Sequence, residues 1–247
     1  MTRSRGVQQR LPSLIDPPIS FAHRGARAHS PENTLPAFEL ALRLGARGLE
    51  TDAWLTADQE VVLDHDGVVG RRFRRRAIAE TPRADLPAHI PTLLELLTSC
   101  GSDFDLSIDL KDERVAGPIA EVVRAAAPEM APRVYLCHPT VSLLLEIKEE
   151  VAPMRLIHST RLERLTGTPE AHAARLAEVG IHGINMHHTD WNGGLVALFH
   201  RFDLLAFSWD LQFEHQLRPA LRMGIDAVYC DDPDVMVDAF AAEIGQP

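Results

Sequence analysis

The chain of 247 residues is poor in cysteine, with only Cys100, Cys137 and Cys230, far apart and odd in number. That arrangement gives no disulfide framework and suits a reducing cytoplasm. Long apolar runs are missing too, and none approaches the roughly 20 residues needed to cross a bilayer. The N-terminal stretch MTRSRGVQQRLPSLIDPP carries basic residues. It has neither the apolar core nor the small-residue cleavage site of a secretory signal. The expected location is therefore cytoplasmic. No internal repeat and no low-complexity tract interrupts the chain. No glycine-rich dinucleotide fingerprint follows any extended segment, which counts against an open doubly wound sheet. Positive charge is also in short supply: 25 Lys and Arg face 35 Asp and Glu, for a formal net charge of −10. Such a balance disfavours nonspecific contact with nucleic acid or anionic membranes and leaves a small molecule as the expected partner. Oligomeric state is left open.

What the sequence does have is alternation. ISFAH (19–23) precedes a helix from Leu35 to about Leu44, with Thr34 as cap and Gly45 as stop. Segments Leu49–Leu55 and Val61–His65 read as a hairpin around Thr56–Gln59. Residues 67 to 91 are irregular and contain Arg71, Arg72, Arg74, Arg75 and Arg76, which could steer an anionic substrate or form a solvated loop. A helix from Thr92 to Ser99 follows. Then strands DLSIDLK, RVYLC, MRLIH, HGINM, LLAFS and DAVYC alternate with helices from about Glu113, Val141, Pro169, Gly194, Glu214 and Pro233. Eight βα units in about 230 residues predict a TIM (β/α)8 barrel with a short hairpin and loop insertion after the second strand. Residues 1–247 form a single barrel domain in this reading, with 1–17 as a loose N-terminal arm.

In such a barrel the active site forms at the C-terminal ends of the strands. Polar and ionisable residues accumulate at those ends: His23 and Arg24; Glu50 and Asp52; Asp109 and Lys111; His138; His158; Asn185 and His187; Trp209 and Asp210; Asp231 and Asp232. Glu50 and Asp52 are two apart on a strand, so both point to one face, with their Cα atoms roughly 7 Å apart. Two carboxylates are costly to bury unpaired, and a hard divalent cation with oxygen ligands resolves that cost. His23 and His65 flank them. Imidazole titrates in the range that proton transfer at neutral pH needs.

Taken together, His23-Arg24-Gly25, Pro31-Glu32-Asn33-Thr34, Ala37-Phe38, Gly45-Ala46, Glu50-x-Asp52, Thr56-x-Asp58 and His65-Asp66 resemble the glycerophosphodiester phosphodiesterases, in that family's order and spacing. The resemblance implies a TIM-barrel hydrolase that uses a divalent metal to cleave glycerophosphodiesters into glycerol 3-phosphate and an alcohol. His23 and His65 fall on the family's catalytic pair, with acid and base unassigned. The nucleophile is water or the neighbouring glycerol hydroxyl. Glu50, Asp52 and Asp109 are the implied ligands for Mg²⁺ or Ca²⁺. Arg24 and Lys111 are expected on the phosphate, and Trp209 offers an apolar wall to the substrate or serves as a core residue. Glycerophosphocholine or glycerophosphoethanolamine is the default substrate.

The chain also departs from the pattern. Asp109 stands where the family has glutamate, one C–C bond (about 1.5 Å) longer. Cys137-His138 replaces Ser-Phe, and Trp209-Asp210-Leu211-Gln212 replaces Trp-Thr-Val-Asn. The stretch from Gly67 to Pro91 is too short for a covering domain, so an open mouth is expected. Two alternatives remain at this level: lysophospholipase D-like activity on the same barrel, and a noncatalytic phosphodiester-binding barrel. The adjacent His187 and His188 face opposite sides, so at most one enters the barrel. Cys230 reads as a small buried hydrophobe, and Asp231 or Asp232 as a helix cap.

Overall fold

The computed structural model describes residues 10–70 and 75–245. The first strand, β1 (Ile19–His23), leads to helix α1 (Leu35–Arg43) and the long strand β2 (Gly48–Leu55). Three short strands follow: β3 (Val61–Leu63), β4 (Val68–Val69) and β5 (Arg76–Ala77). Then helix α2 (Leu93–Cys100) and strand β6 (Asp105–Leu110) restore the alternation. It continues through α3 (Ala116–Ala126), β7 (Val134–His138), α4 (Val141–Val151), β8 (Arg155–Thr160) and α5 (Pro169–Glu178). It ends with β9 (Gly183–His187), α6 (Gly193–His200), β10 (Leu205–Trp209), α7 (Glu214–Arg222), β11 (Ala227–Cys230) and α8 (Pro233–Ile244).

Strands β2, β6, β7, β8, β9, β10, β11 and β1 pair in parallel in that order, and β1 pairs back onto β2. The sheet is thus a closed eight-stranded TIM barrel, as the alternation predicts. The expected hairpin is also present, with β3 antiparallel to β2 and Ala53 opposite Leu63. Its turn is built by Thr56, whose hydroxyl donates to Asp58 at 2.6 Å and accepts from the Glu60 amide at 2.9 Å.

Two apolar layers hold the barrel. Inside it, Phe21 stacks on Tyr229 with ring centroids 5.0 Å apart, and Tyr135 and Phe207 pack edge-on at 5.2 Å. Gly48 makes room for them, because a Cβ there would lie 2.6 Å from the Phe21 ring. Outside it, each helix turns a stripe onto the strands, as with Phe38 of α1, Leu96 of α2, Ile119 of α3 and Leu144 of α4, all fully buried. Each such side chain contributes roughly 1.5–3 kcal/mol. Beyond β3, the excursion covers its own small cluster of Val62, Val69, Ile78, Leu86 and Ile90, against which Trp54 packs.

Part of the expected arm is anchored. The Leu11 amide donates to Arg222 O at 2.9 Å, and the Ile15 amide donates to the fully buried Asp226 carboxylate at 3.2 Å. Residues 1–9 lie outside the described set, as do Arg71, Arg72 and Arg74 of the arginine cluster. Arg75 and Arg76 are exposed, and Arg76 donates to Asp85 O at 3.1 Å. Among the described residues no helix is long and apolar enough to cross a membrane.

Candidate active site

Strand register assembles the site. His23 at the end of β1 lies beside Glu50 of β2, and Asp52 of β2 lies beside Asp109 of β6. Parallel neighbours in register point the same way, so one histidine and three carboxylates meet at the barrel mouth. Oxygen atoms of Glu50, Asp52 and Asp109 come within 4.8 Å of one another. Glu50 and Asp52 are buried, at 4% and 1% exposure. Burial pushes the Glu50 carboxyl up to about 8, with the charges of Asp52 and Asp109 adding to it against the opposing pull of His23. Burial raises the Asp109 carboxyl as well, against the pull of Lys111.

The turn after β1 locks this cluster. Arg24 has φ +54° and Gly25 has φ +78°, both in the left-handed region. That backbone turns the Arg24 amide onto the Glu50 carboxylate at 2.9 Å. Its guanidinium reaches Glu32 at 3.1 Å and Asp52 at 3.2 Å. Gly25 is irreplaceable on two counts, since a Cβ would also sit 2.7 Å from the Ala37 carbonyl carbon. Asn33, itself at φ +53°, donates to Asp52 at 3.0 Å and accepts from Thr51 at 2.7 Å. Asp52 is therefore the best-satisfied of the three carboxylates, with Lys111 at 3.0 Å as a further partner.

His23 is held by a residue from the last unit. Its Nδ1 lies 2.7 Å from Asp231 Oδ1, and its Nε2 lies 3.8 Å from Glu50. An acceptor that close to Nδ1 places a proton there and leaves Nε2 for chemistry. Burial disfavours the charged ring, but Glu50 and Asp231 outweigh it and raise the His23 pKa above its ordinary value. Asp231 is in turn held by Arg27 at 3.6 Å. The sequence offered Asp231 or Asp232 as a helix cap. The structure divides the work: Asp232 caps α8 by accepting from the Asp234 amide, and Asp231 turns to His23.

The profile of the glycerophosphoryl diester phosphodiesterase family matches residues 23–235. The chain belongs to that family. A glycerophosphodiester phosphodiesterase of Bacillus altitudinis is 28% identical over 242 residues, covering 87% of this chain and 94% of the relative. The structure of a glycerophosphodiester phosphodiesterase from Thermotoga maritima superposes with TM-score 0.77 at 24% identity, covering 89% of this chain and 97% of the other. A phosphodiesterase of Oleispira antarctica, solved in complex with the product sn-glycerol-3-phosphate, superposes with TM-score 0.78 at 23% identity, covering 90% and 96%. The protein is accordingly a phosphodiester hydrolase of the glycerophosphodiester class.

A cavity of about 450 Å³ opens over the carboxylate cluster. Its near wall holds His23, Arg24, Glu50 and Asp109, and its far wall Ser159, Asn185, Trp209 and Arg161. Two of the expected substrate or catalytic residues lie off this lining. Lys111 points into the carboxylates instead, 3.0 Å from Asp52 and 3.3 Å from Asp109. Burial opposes its charge, but those two carboxylates raise its pKa. His65 follows β3 and is exposed, with Nδ1 2.9 Å from Asp66. The Asp64 amide just before it donates to Asp52 O at 3.0 Å, which ties the turn to β2. His187 makes an edge contact with Trp209, centroids 4.6 Å apart, and bonds Asp210 at 3.0 Å. Cys230 is fully buried, as its sequence context suggests.

The donor set fits a hard divalent cation. Three carboxylates from two adjacent strands converge, and burial with mutual repulsion raises the pKa of Glu50 and Asp109. Oxygen-only ligation of this kind suits Mg²⁺ or Ca²⁺ rather than a softer metal.

Proposed function

We propose that this chain hydrolyses glycerophosphodiesters to glycerol 3-phosphate and an alcohol, with a divalent cation held by Glu50, Asp52 and Asp109 and with His23 as a proton-transfer group. The observation that carries the reading is the convergence of His23, fixed by Asp231 at 2.7 Å, on the Glu50–Asp52–Asp109 cluster. When bound, the cation would act as a Lewis acid on a phosphoryl oxygen and orient the diester.

The protein's own groups supply the rest. Cleavage requires a proton taken from the nucleophile and another given to the leaving alkoxide. His23 Nε2 faces the cluster with Nδ1 committed to Asp231, which fixes the ring's tautomer and orientation and stabilises its charged form, the role of the carboxylate in a hydrolase triad. His65 is the proposed second proton carrier. It is exposed on the turn that follows β3 and does not line the cavity, so its role rests on the family resemblance. Arg24, already on the cavity wall, offers a fixed positive charge to the phosphate as charge develops. Lys111 offsets the charge of Asp52 and Asp109, and would reach a phosphate oxygen only by turning out of that pair.

The lining favours a water-soluble diester over a lysolipid. Around the cavity, polar and charged residues outnumber the apolar ones, which are Pro139, Trp209 and Tyr229. The deciding experiment is turnover of glycerophosphocholine and glycerophosphoethanolamine before and after EDTA treatment, with Mg²⁺ or Ca²⁺ added back. Loss and recovery of activity is the expected result. Full activity in the chelated protein would overturn the metal role, and His65→Ala with unchanged kcat would remove His65 from the reaction.

A further inference from the structure

The far wall of the cavity carries polar atoms that the phosphate chemistry does not use. Ser159 of β8 and Asn185 of β9 are register neighbours, and both line the cavity. Ser159 Oγ and Asn185 Oδ1 are buried with no hydrogen-bond partner among the described residues, so a ligand in the cavity would meet them once rotation about the last side-chain torsion turns them toward it. Asn185 as a whole is only 7% exposed. A buried acceptor left unpaired is costly, so a pair of them side by side needs a reason. A hydroxyl can accept and donate; an amide oxygen only accepts. Two adjacent groups of these types match two adjacent hydroxyls of a ligand.

The surroundings offer no aromatic cage to the obvious rival, a quaternary ammonium group. Recognition of that group uses a cage of aromatic faces. The two aromatic residues of the lining do not provide one. Tyr229 is stacked on Phe21 with its hydroxyl bonded to Ser107 at 3.0 Å. Trp209 has His187 at its edge and the Arg161 guanidinium 6.0 Å from its ring centroid. The charges nearby are largely committed. Arg161 is held by Asp190 at 2.6 Å and Asp210 by His187 at 3.0 Å, whereas Arg164 on the rim makes no ion pair among the described residues.

We propose that Ser159 and Asn185 form a specificity subsite that binds a vicinal diol of the substrate. This rests on the hydrolytic reading of the site and adds to it the chemistry of one arm of the diester. That diol has two sources: the glycerol half common to all such substrates, or a polyol leaving group. Comparison of glycerophosphoglycerol, glycerophosphocholine and ethylphosphocholine, which have two, one and no diol arms, separates them. If the subsite holds the leaving group, kcat/KM for glycerophosphoglycerol exceeds that for glycerophosphocholine by about tenfold or more. If it holds the common glycerol, those two match and both exceed ethylphosphocholine by that factor. In Ser159→Ala and Asn185→Ala the gap closes in either case. A variant that slows all three diesters by one common factor overturns the proposal. A second readout is independent of turnover. If the subsite holds the common glycerol, calorimetric binding of glycerol 3-phosphate should exceed that of propyl phosphate by about tenfold in the unaltered protein, and much less in Asn185→Ala. Equal binding removes the common-glycerol source whatever the turnover, and equal kcat/KM for glycerophosphoglycerol and glycerophosphocholine then overturns the subsite. Discriminating binding with no hydrolysis of any diester would instead sink the hydrolytic reading and keep the subsite.

Discussion

A histidine ring works as a proton carrier only if one nitrogen is held and the other is presented. His23 meets that condition because Asp231, 208 residues further along the chain, closes on Nδ1. Asp231→Asn would keep the shape but offer the ring a donor as readily as an acceptor. The wrong tautomer would then be populated. We expect kcat for a glycerophosphodiester to fall by roughly 10²-fold or more, with KM within about threefold. Steady-state kinetics with a circular-dichroism check of folding would test it, and an unchanged kcat would show that Asp231 serves only the fold. At Asp109 the issue is reach. The carboxylate is shared with Lys111 at 3.3 Å and is one C–C bond shorter than the glutamate that the family resemblance leads one to expect. Its loss removes one of the three carboxylates proposed as ligands. Asp109→Ala should therefore raise the concentration of Mg²⁺ or Ca²⁺ needed for half-maximal activity by on the order of tenfold or more. Asp109→Glu should leave that concentration near or below its original value.

At the level of elements, a chain of hydrogen bonds links α5 to the end of β7. Arg175 donates to His172 Nδ1 at 3.0 Å, His172 Nε2 lies 3.2 Å from His158 Nδ1, and His158 Nε2 lies 3.1 Å from Pro139 O. Arginine can only donate and a carbonyl can only accept, so both rings must be neutral and every proton points toward Pro139. Burial, with His172 beside it, lowers the His158 pKa from 6.5 to about 4. Between those values the unfolded chain binds the proton and the folded chain does not. Stability is therefore full above pH 6.5 and falls as pH drops toward 4, by up to about 3 kcal/mol. His158→Gln should flatten this slope in urea titrations at pH 7.5 and 4.5, whatever it does at neutral pH. A variant with the same acid loss would place the titration elsewhere.

Elements were also the level at which the sequence was most legible. Strands that face apolar surroundings on both sides read as continuous runs such as AVYC, and helices start at Thr34, Thr92 and Asp232, whose side chains accept from the first turn. Boundaries shifted where side chains competed with the backbone. The third helix was expected from Glu113 but starts at Ala116, because Asp112 accepts the Arg114 amide at 2.9 Å and holds a turn. The carboxylates and His23 were readable because each sits at a strand end. The partner of His23 was not, since a contact between β1 and the end of β11 depends on closure of the sheet. Nor could spacing reveal that Ser159 and Asn185 share a register position or lack partners.

For the whole molecule, closure of the barrel gathers charge that the fold alone does not neutralise. Asp52 is balanced by Arg24, Lys111 and Asn33, but burial with the charges of Asp52 and Asp109 keeps the Glu50 pKa raised, and burial with the charge of Asp52 keeps that of Asp109 raised. A ligand that relieves this repulsion binds the folded chain and not the unfolded one, so it must raise stability. At 100 times its dissociation constant a cation adds about 2.7 kcal/mol, which for a domain of this size corresponds to a rise in Tm of roughly 5–10 °C. Differential scanning calorimetry in EDTA, then with Mg²⁺ or Ca²⁺ in excess, measures it without reference to turnover. Glu50→Gln removes one ligand charge and one source of repulsion together. It should melt at or above the unaltered protein in EDTA and gain little from either ion. A Tm indifferent to both ions in the unaltered protein would mean that the three carboxylates are reconciled by Arg24 and Lys111 alone, and the cluster would then be a structural ion-pair network rather than a metal site.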